Sequence, residues 1–123
     1  MDFIITLAKD FVSGLLDAEE KFYSHPDQFN QMEESVVDLS LQTAARFLSE
    51  MLTETDQMIC NNSKRKDGYK IHRHDQRTLI TTAGDVTFTH TMFQDKKDGS
   101  TRYLLDEMLH LPDHERFSTL AEA

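Results

Sequence analysis

The sequence predicts an α+β fold: two long N-terminal helices, a three-stranded antiparallel β-meander and short C-terminal helical turns. Three observations carry this. Apolar residues recur at steps of three and four as far as Ile59, which is the helical period. From Thr78 the period changes to two, as in a half-buried strand. Two turn signals, Ala83-Gly84-Asp85 and Lys96-Lys97-Asp98-Gly99, divide the β-rich part into hairpin lengths.

Phe3 to Tyr23 reads as an amphipathic helix with Ile4, Leu7, Phe11, Leu15, Ala18 and Phe22 on one face. Gly14 weakens it by up to about 1 kcal/mol relative to Ala. His25-Pro26 ends it, because Pro disfavours the helical region in the residue before it. A second helix is expected from Gln31 to Ile59, opened by Asn30 with Glu33 as a capping pair. In it Val37, Leu41, Ala44, Leu48, Met51, Thr55 and Met58 make a seam of heptad period. Such a seam suits a helix pair or a coiled-coil dimer, and it predicts that Leu41, Leu48 and Met51 leave water. Asn61-Asn62-Ser63 stops the helix.

Lys64 to Arg77 reads as an exposed basic loop with a turn at Gly68. Strands follow at Thr78–Thr82, Val86–Phe93 and Thr101–Leu105, and such a meander needs a helix against one face to be stable. In the middle strand Val86, Phe88, His90 and Met92 share a face, where His90 is expected to be a satisfied core or edge histidine. Asp106 is expected to cap a short helix through Leu111, ended by Pro112. Thr119-Leu120-Ala121-Glu122 then reads as a capping box, announcing a helix where the sequence stops. A chain cut short and a frayed tail both fit that ending. The organisation expected is residues 1–63 helical, 64–77 basic loop and 78–123 meander with helical turns, forming one compact unit.

The formal charge is −9 over 123 residues, unevenly spread. Residues 1–63 carry 3 basic and 12 acidic side chains, residues 64–77 carry 6 and 2, and residues 78–123 carry 4 and 8. So acidic a balance argues against a general nucleic-acid binder and leaves room for one basic arm. The single cysteine, Cys60, excludes an intrachain disulfide, and no run approaches the ~20 apolar residues of a membrane span. Asp2 and Lys9-Asp10 interrupt any signal peptide, so a cytoplasmic address is expected.

Chemistry-bearing residues are few. Cys60, His72 and His74 are the only set with metal-ligand chemistry, and they lack the paired cysteine spacing of zinc sites. Surface histidines are the expected reading, with no metal and no cofactor. No nucleophile motif appears. The best candidates for binding are Lys64, Arg65, Lys66, Lys70, Arg73 and Arg77, which can follow a phosphate backbone, with Tyr69 available to stack. The competing reading is a solubilising loop that balances an acidic helix face.

The stretch from Arg77 to Ser118 carries TLITTAGDVTF, DKKDGSTRYLLDE and LHLPDHER in that order. It resembles the ISLre-type family of insertion-sequence transposases, long grouped as an uncharacterised protein family. Members share a T-L-x-T-x-x-G-x-V-x-F hairpin, a charged turn, a Y-L-L-D-E strand end and an L-G-L-P-P-R-E-R-like tail. The clear motif covers about a third of this chain, and the preceding helices and KRK segment follow the family's order of parts. His90 stands where the family is often basic, Phe93 where Tyr or Phe is usual, and His110 where Gly is frequent. The resemblance implies a non-catalytic N-terminal region, because family members continue into a ribonuclease-H-like domain whose carboxylates hold divalent metal. The expected role is DNA positioning, through weak salt-dependent contact, or subunit assembly as a homodimer. The alternative class is a dimerisation or protein-interaction module that does not touch DNA, and an enzyme acting alone is the third.

Overall fold

A computed structural model describes residues 2–111. In chain order they form helix α1 (Asp2–Ser24), a 3-10 turn (Pro26–Gln28), helix α2 (Phe29–Cys60), helix α3 (Ser63–Gly68), strands β1 (Tyr69–Thr81), β2 (Gly84–Asp95) and β3 (Thr101–Tyr103), and helix α4 (Leu104–Met108). The α+β class and the three-stranded antiparallel sheet, in order β1-β2-β3, are as expected. Pro112 and the capping box at Thr119 to Glu122 lie outside the described residues. By contact the chain divides into two units, Met1–Phe47 and Leu48–Ala123, with the boundary inside α2.

The first unit contains α1 and the start of α2, antiparallel to each other. Phe3 meets Phe47 with ring centroids 6.2 Å apart, Asp10 pairs with Arg46 at 3.1 Å, and Phe22 meets Phe29 edge-on at 6.4 Å. Gly14 marks the close approach, since a Cβ there would lie 2.6 Å from a Leu39 methyl. The residue that costs helix propensity is thus the one that lets the helices meet. Of the predicted apolar face, Leu7 and Ala18 are buried, whereas Ile4 and Leu15 remain exposed. Asn30 is not a cap, because α2 already starts at Phe29. The 3-10 turn with Pro26 at its first position leads into it.

The heptad seam of α2 does not face inward within the chain. Val37, Leu41, Leu48, Met51 and Met58 are all exposed, Met58 by 69%. The half-buried face lies beside it, at Met32, Val36, Leu39 and Thr43.

In the second unit the anticipated loop 64–77 is not a loop. Asn62 accepts hydrogen bonds from the Lys64 and Arg65 amides and starts α3. From Tyr69 the chain is already strand, and β1 pairs with β2 from Tyr69↔Asp95 to Thr81↔Gly84, with an irregularity at His72. The strand extends N-terminally because β2 is long enough to pair with it, and pairing outweighs the polar composition. Thr82 and Ala83 close the hairpin, and Gly84 takes a φ of 103° that side chains rarely adopt. Leu79, Phe88 and Leu105 form the core, with Leu52, Ile59, Leu109 and Leu111 packed on it.

β3 covers β2 only at Met92, Phe93 and Gln94, so on that side the edge from Thr87 to Thr91 has no strand beside it among the described residues. α2 supplies the partners. Ser49 Oγ donates to the Thr87 carbonyl, the Thr89 amide donates to Thr53 Oγ1 at 3.1 Å, and the Thr91 amide donates to Asp56 Oδ1 at 2.9 Å. Steps of four and three keep these side chains on one helix face. They climb ~10 Å, against ~13 Å from Thr87 to Thr91, so helix and strand stay nearly in register. An exposed edge invites pairing with other chains, and this helix covers it with side-chain oxygens.

α4 ends in a left-handed residue. His110 has φ 56°, and the Leu111 amide donates to the Asp106 carbonyl at 2.9 Å. This geometry explains why the resembled pattern has Gly here. We expect His110→Gly to stabilise the fold by up to about 1 kcal/mol, the cost of a left-handed non-glycine residue less glycine's own entropy. The check is a urea midpoint that rises at unchanged slope, and a lower midpoint refutes it.

Candidate nucleic-acid interface

The basic segment divides into cations that face solvent and cations the fold uses. Lys64 and Lys66 are exposed on α3, and Lys70 is exposed on β1. The turn after β2 lies against them: the Lys96 amide donates to the Gly68 carbonyl at 3.0 Å, and Lys96 Nζ donates to the Lys66 carbonyl. Lys96 and its exposed neighbour Lys97 therefore join a surface that the sequence reading confined to residues 64–77. Asp95 ends β2 and Asp98 lies in this turn, and they accept the backbone amides of Lys97 and Ser100.

Arg65 points inward. It donates to the carbonyls of Tyr69, at 3.2 Å, and Cys60, and its guanidinium lies 5.4 Å from the Phe93 ring centre. Tyr69 accepts from Arg102 at 2.8 Å, and Arg102 also grips Glu107 through two hydrogen bonds. Arg73 remains exposed beside Asp75 at 2.8 Å. The Tyr103 hydroxyl and the Arg73 side chain both bond to Asp75 and hold its carboxyl below the usual range.

Arg77 is largely enclosed and donates to Asp106 Oδ2 at 2.7 Å. Asp106 also lies 3.0 Å from His90 Nδ1, and the His90 ring stacks on Tyr103 at 3.8 Å. His90 is the satisfied core histidine expected of its position. Asp106, however, is no helix cap: Tyr103 occupies the cap position, and the Asp106 carboxylate is taken by two buried cations or donors. Burial decides this, since Asp106 is 4% exposed and a carboxylate there requires partners.

A second polar cluster lies where α2 meets β2. Thr91 is fully buried, and its hydroxyl donates to Asp56 Oδ2 at 2.6 Å. Cys60 Sγ and His74 Nδ1 approach the same hydroxyl at 3.3 and 2.8 Å. Of the three residues with metal-ligand chemistry, Cys60 and His74 thus come together and His72 stays apart. Asp56, which the sequence alone does not mark as a ligand, completes a set whose ligand atoms lie within 4.8 Å of one another. The four-residue step from Asp56 to Cys60 was the available signal, but it became meaningful only once β1 delivered His74.

No helix of the described residues is long and apolar enough to cross a membrane. A family model described as an uncharacterised protein family, UPF0236, matches residues 26–123. A UPF0236 protein of Caldanaerobacter subterraneus subsp. tengcongensis is 24% identical over 115 residues, covering 94% of this chain and 25% of that protein. Another from the same organism is 27% identical over 81 residues, covering 66% of this chain and 18% of that protein. The chain spans about a quarter of the length of the curated relatives it matches most fully. No solved structure matches it.

Proposed function

This chain belongs to UPF0236, an uncharacterised protein family, and from that premise we propose that it is the non-catalytic N-terminal region of an insertion-sequence transposase, serving to position DNA. The observation that carries the reading is repetition among the relatives. The name of one joins eleven serial designations from a single strain, and that of another joins four. One protein encoded many times in one genome is what a mobile element leaves behind. The hairpin block from Arg77 to Ser118, with its resemblance to ISLre-type transposases, points the same way.

In this reading Lys64, Lys66, Lys70 and Lys96 meet the phosphate backbone. They are exposed, whereas Arg65 and Arg77 are committed to internal partners. Contacts of this kind are indifferent to sequence and strongly salt-dependent. Fluorescence anisotropy with labelled duplex DNA across a salt series tests it. Changing the four lysines together to Ala should abolish low-salt binding or flatten the log–log salt dependence by roughly one unit per lost contact. The circular dichroism spectrum should not change, because exposed charges contribute little to stability. Unchanged binding by the variant would remove this surface from the role.

A second reading, a dimerisation module without DNA binding, is favoured by one observation: the heptad stripe Val37, Leu41, Leu48, Met51 and Met58 is exposed along α2. A mass that grows with concentration, together with no DNA binding by the unaltered chain at low salt, would make this the better account.

A further inference from the structure

We infer that Asp56, Cys60 and His74 form a binding site for zinc, closed by the Thr91 hydroxyl or a water. Two independent features carry this. The first is the ligand set. A thiol, an imidazole and a carboxylate converge, with Asp56 and Cys60 one helical turn apart on α2 and His74 directly across from Thr91 on β1. Sulfur and nitrogen ligands select a borderline-soft ion such as zinc and disfavour calcium and magnesium, which take oxygen alone. The second feature is charge. Asp56 is 2% exposed, and among the described residues no ion pair reaches it. The other deeply buried carboxylate, Asp106, has Arg77 and His90 beside it. A buried carboxylate without a cation is costly. Zinc bound by this carboxylate and the Cys60 thiolate gives a site with no net charge.

The geometry suits the ion. Bonds of about 2.0–2.3 Å place tetrahedral ligand atoms about 3.3–3.8 Å apart. Here Asp56 Oδ2 and Cys60 Sγ are 4.0 Å apart, and all three ligand atoms lie within 4.8 Å of one another. Small side-chain movements therefore close the site. The two carboxylate oxygens divide the work. Oδ1 keeps the Thr91 amide, which orients the group, while Oδ2 exchanges the Thr91 hydroxyl proton for the metal. Binding takes the proton of the Cys60 thiol, while His74 offers the Nδ1 lone pair with its N–H on Nε2. His74 is exposed, which opens a way in from solvent.

Cobalt(II) is the probe. The reduced, metal-free chain is titrated with it while sulfur-to-cobalt charge-transfer absorption is followed, and zinc is then added in competition. One equivalent should bind with a charge-transfer band that zinc removes. Cys60→Ser should lose the band, His74→Ala should weaken binding at least tenfold, and His72→Ala should behave as the unaltered chain. Circular dichroism reports whether Cys60→Ser folds, and if it does not, the exposed His74 variant decides. Absence of the band in the unaltered chain overturns the site. So does full affinity in His74→Ala, or an equal loss in His72→Ala.

Discussion

Replacing Asp56 by Ala should lower the unfolding free energy by about 3–6 kcal/mol, two hydrogen bonds to a charged acceptor at about 1.5–3 kcal/mol each. The carboxylate accepts from both the amide and the hydroxyl of Thr91, a residue with no exposure of its own. The substitution leaves both donors buried. It also relieves the burial of a charge that lacks an ion-pair partner among the described residues, which moves the loss toward the lower end of that range. Even so, it is a large part of the 5–15 kcal/mol typical of a domain. Asp56→Asn should lose about half as much, because its carbonyl can still accept from the amide while its NH2 donates to the Thr91 hydroxyl. Thr53→Val provides a scale, since it removes one neutral acceptor from the Thr89 amide and should cost about 1 kcal/mol. Urea unfolding with a chelator present keeps any metal contribution out of the comparison. If Asp56→Ala stays within about 1 kcal/mol of the unaltered chain, side-chain capping of the β2 edge does not hold α2 on the sheet.

Asp106→Ala should cost a comparable amount, about 3–5 kcal/mol, because it breaks a buried ion pair and takes the carboxylate from an enclosed guanidinium. Here the groups that lose the carboxylate are Arg77 and His90, whose side chains are 12% and 8% exposed. Arg77→Ala should destabilise as well, so a DNA-binding defect in that variant has to be judged against its folding. Arg77→Met combined with Asp106→Leu removes both charges and keeps apolar volume. It should be more stable than either single Ala variant, since both members of the pair leave together. A double variant no better than the singles would mean that the pair contributes through packing with His90 and Tyr103 and not through charge. Thermal unfolding of the four proteins closes the comparison.

The structure separates what is locally legible from what is not within one short segment. Lys64, Lys66 and Lys70 read from the sequence as solvent-facing cations, and they are. Arg65 and Arg77 have the same side chain and lie in the same basic run, yet one grips the Cys60 carbonyl and the other a buried aspartate. Residue type does not distinguish them: Arg65 takes carbonyls four and five residues away and the Phe93 ring, whereas Arg77 takes a carboxylate 29 residues away. Asp106 stands 29 residues from Arg77, and Asp56 stands 35 from Thr91. The expected loop failed for a related reason: a polar stretch becomes strand when a long partner strand is available to pair with it.

The sequence by itself determined the kind and order of the two long helices and the three strands. A helical period up to Ile59, alternation after Thr78 and glycines at the two turns are local properties, set by residue spacing and backbone freedom. The tertiary structure alone decided which faces those elements bury. Along α2 the apolar heptad stripe remains exposed, while Ser49, Thr53 and Asp56 turn toward the sheet. Periodicity ranks faces by apolar content, and by that measure the stripe should have won. It lost within the chain because β2 exposes backbone groups from Thr87 to Thr91 that β3 is too short to cover. A buried amide without an acceptor costs more than an apolar side chain left in water, so the face carrying Ser49, Thr53 and Asp56, with Leu52 and Ile59 packed on the core beside them, took the inward position.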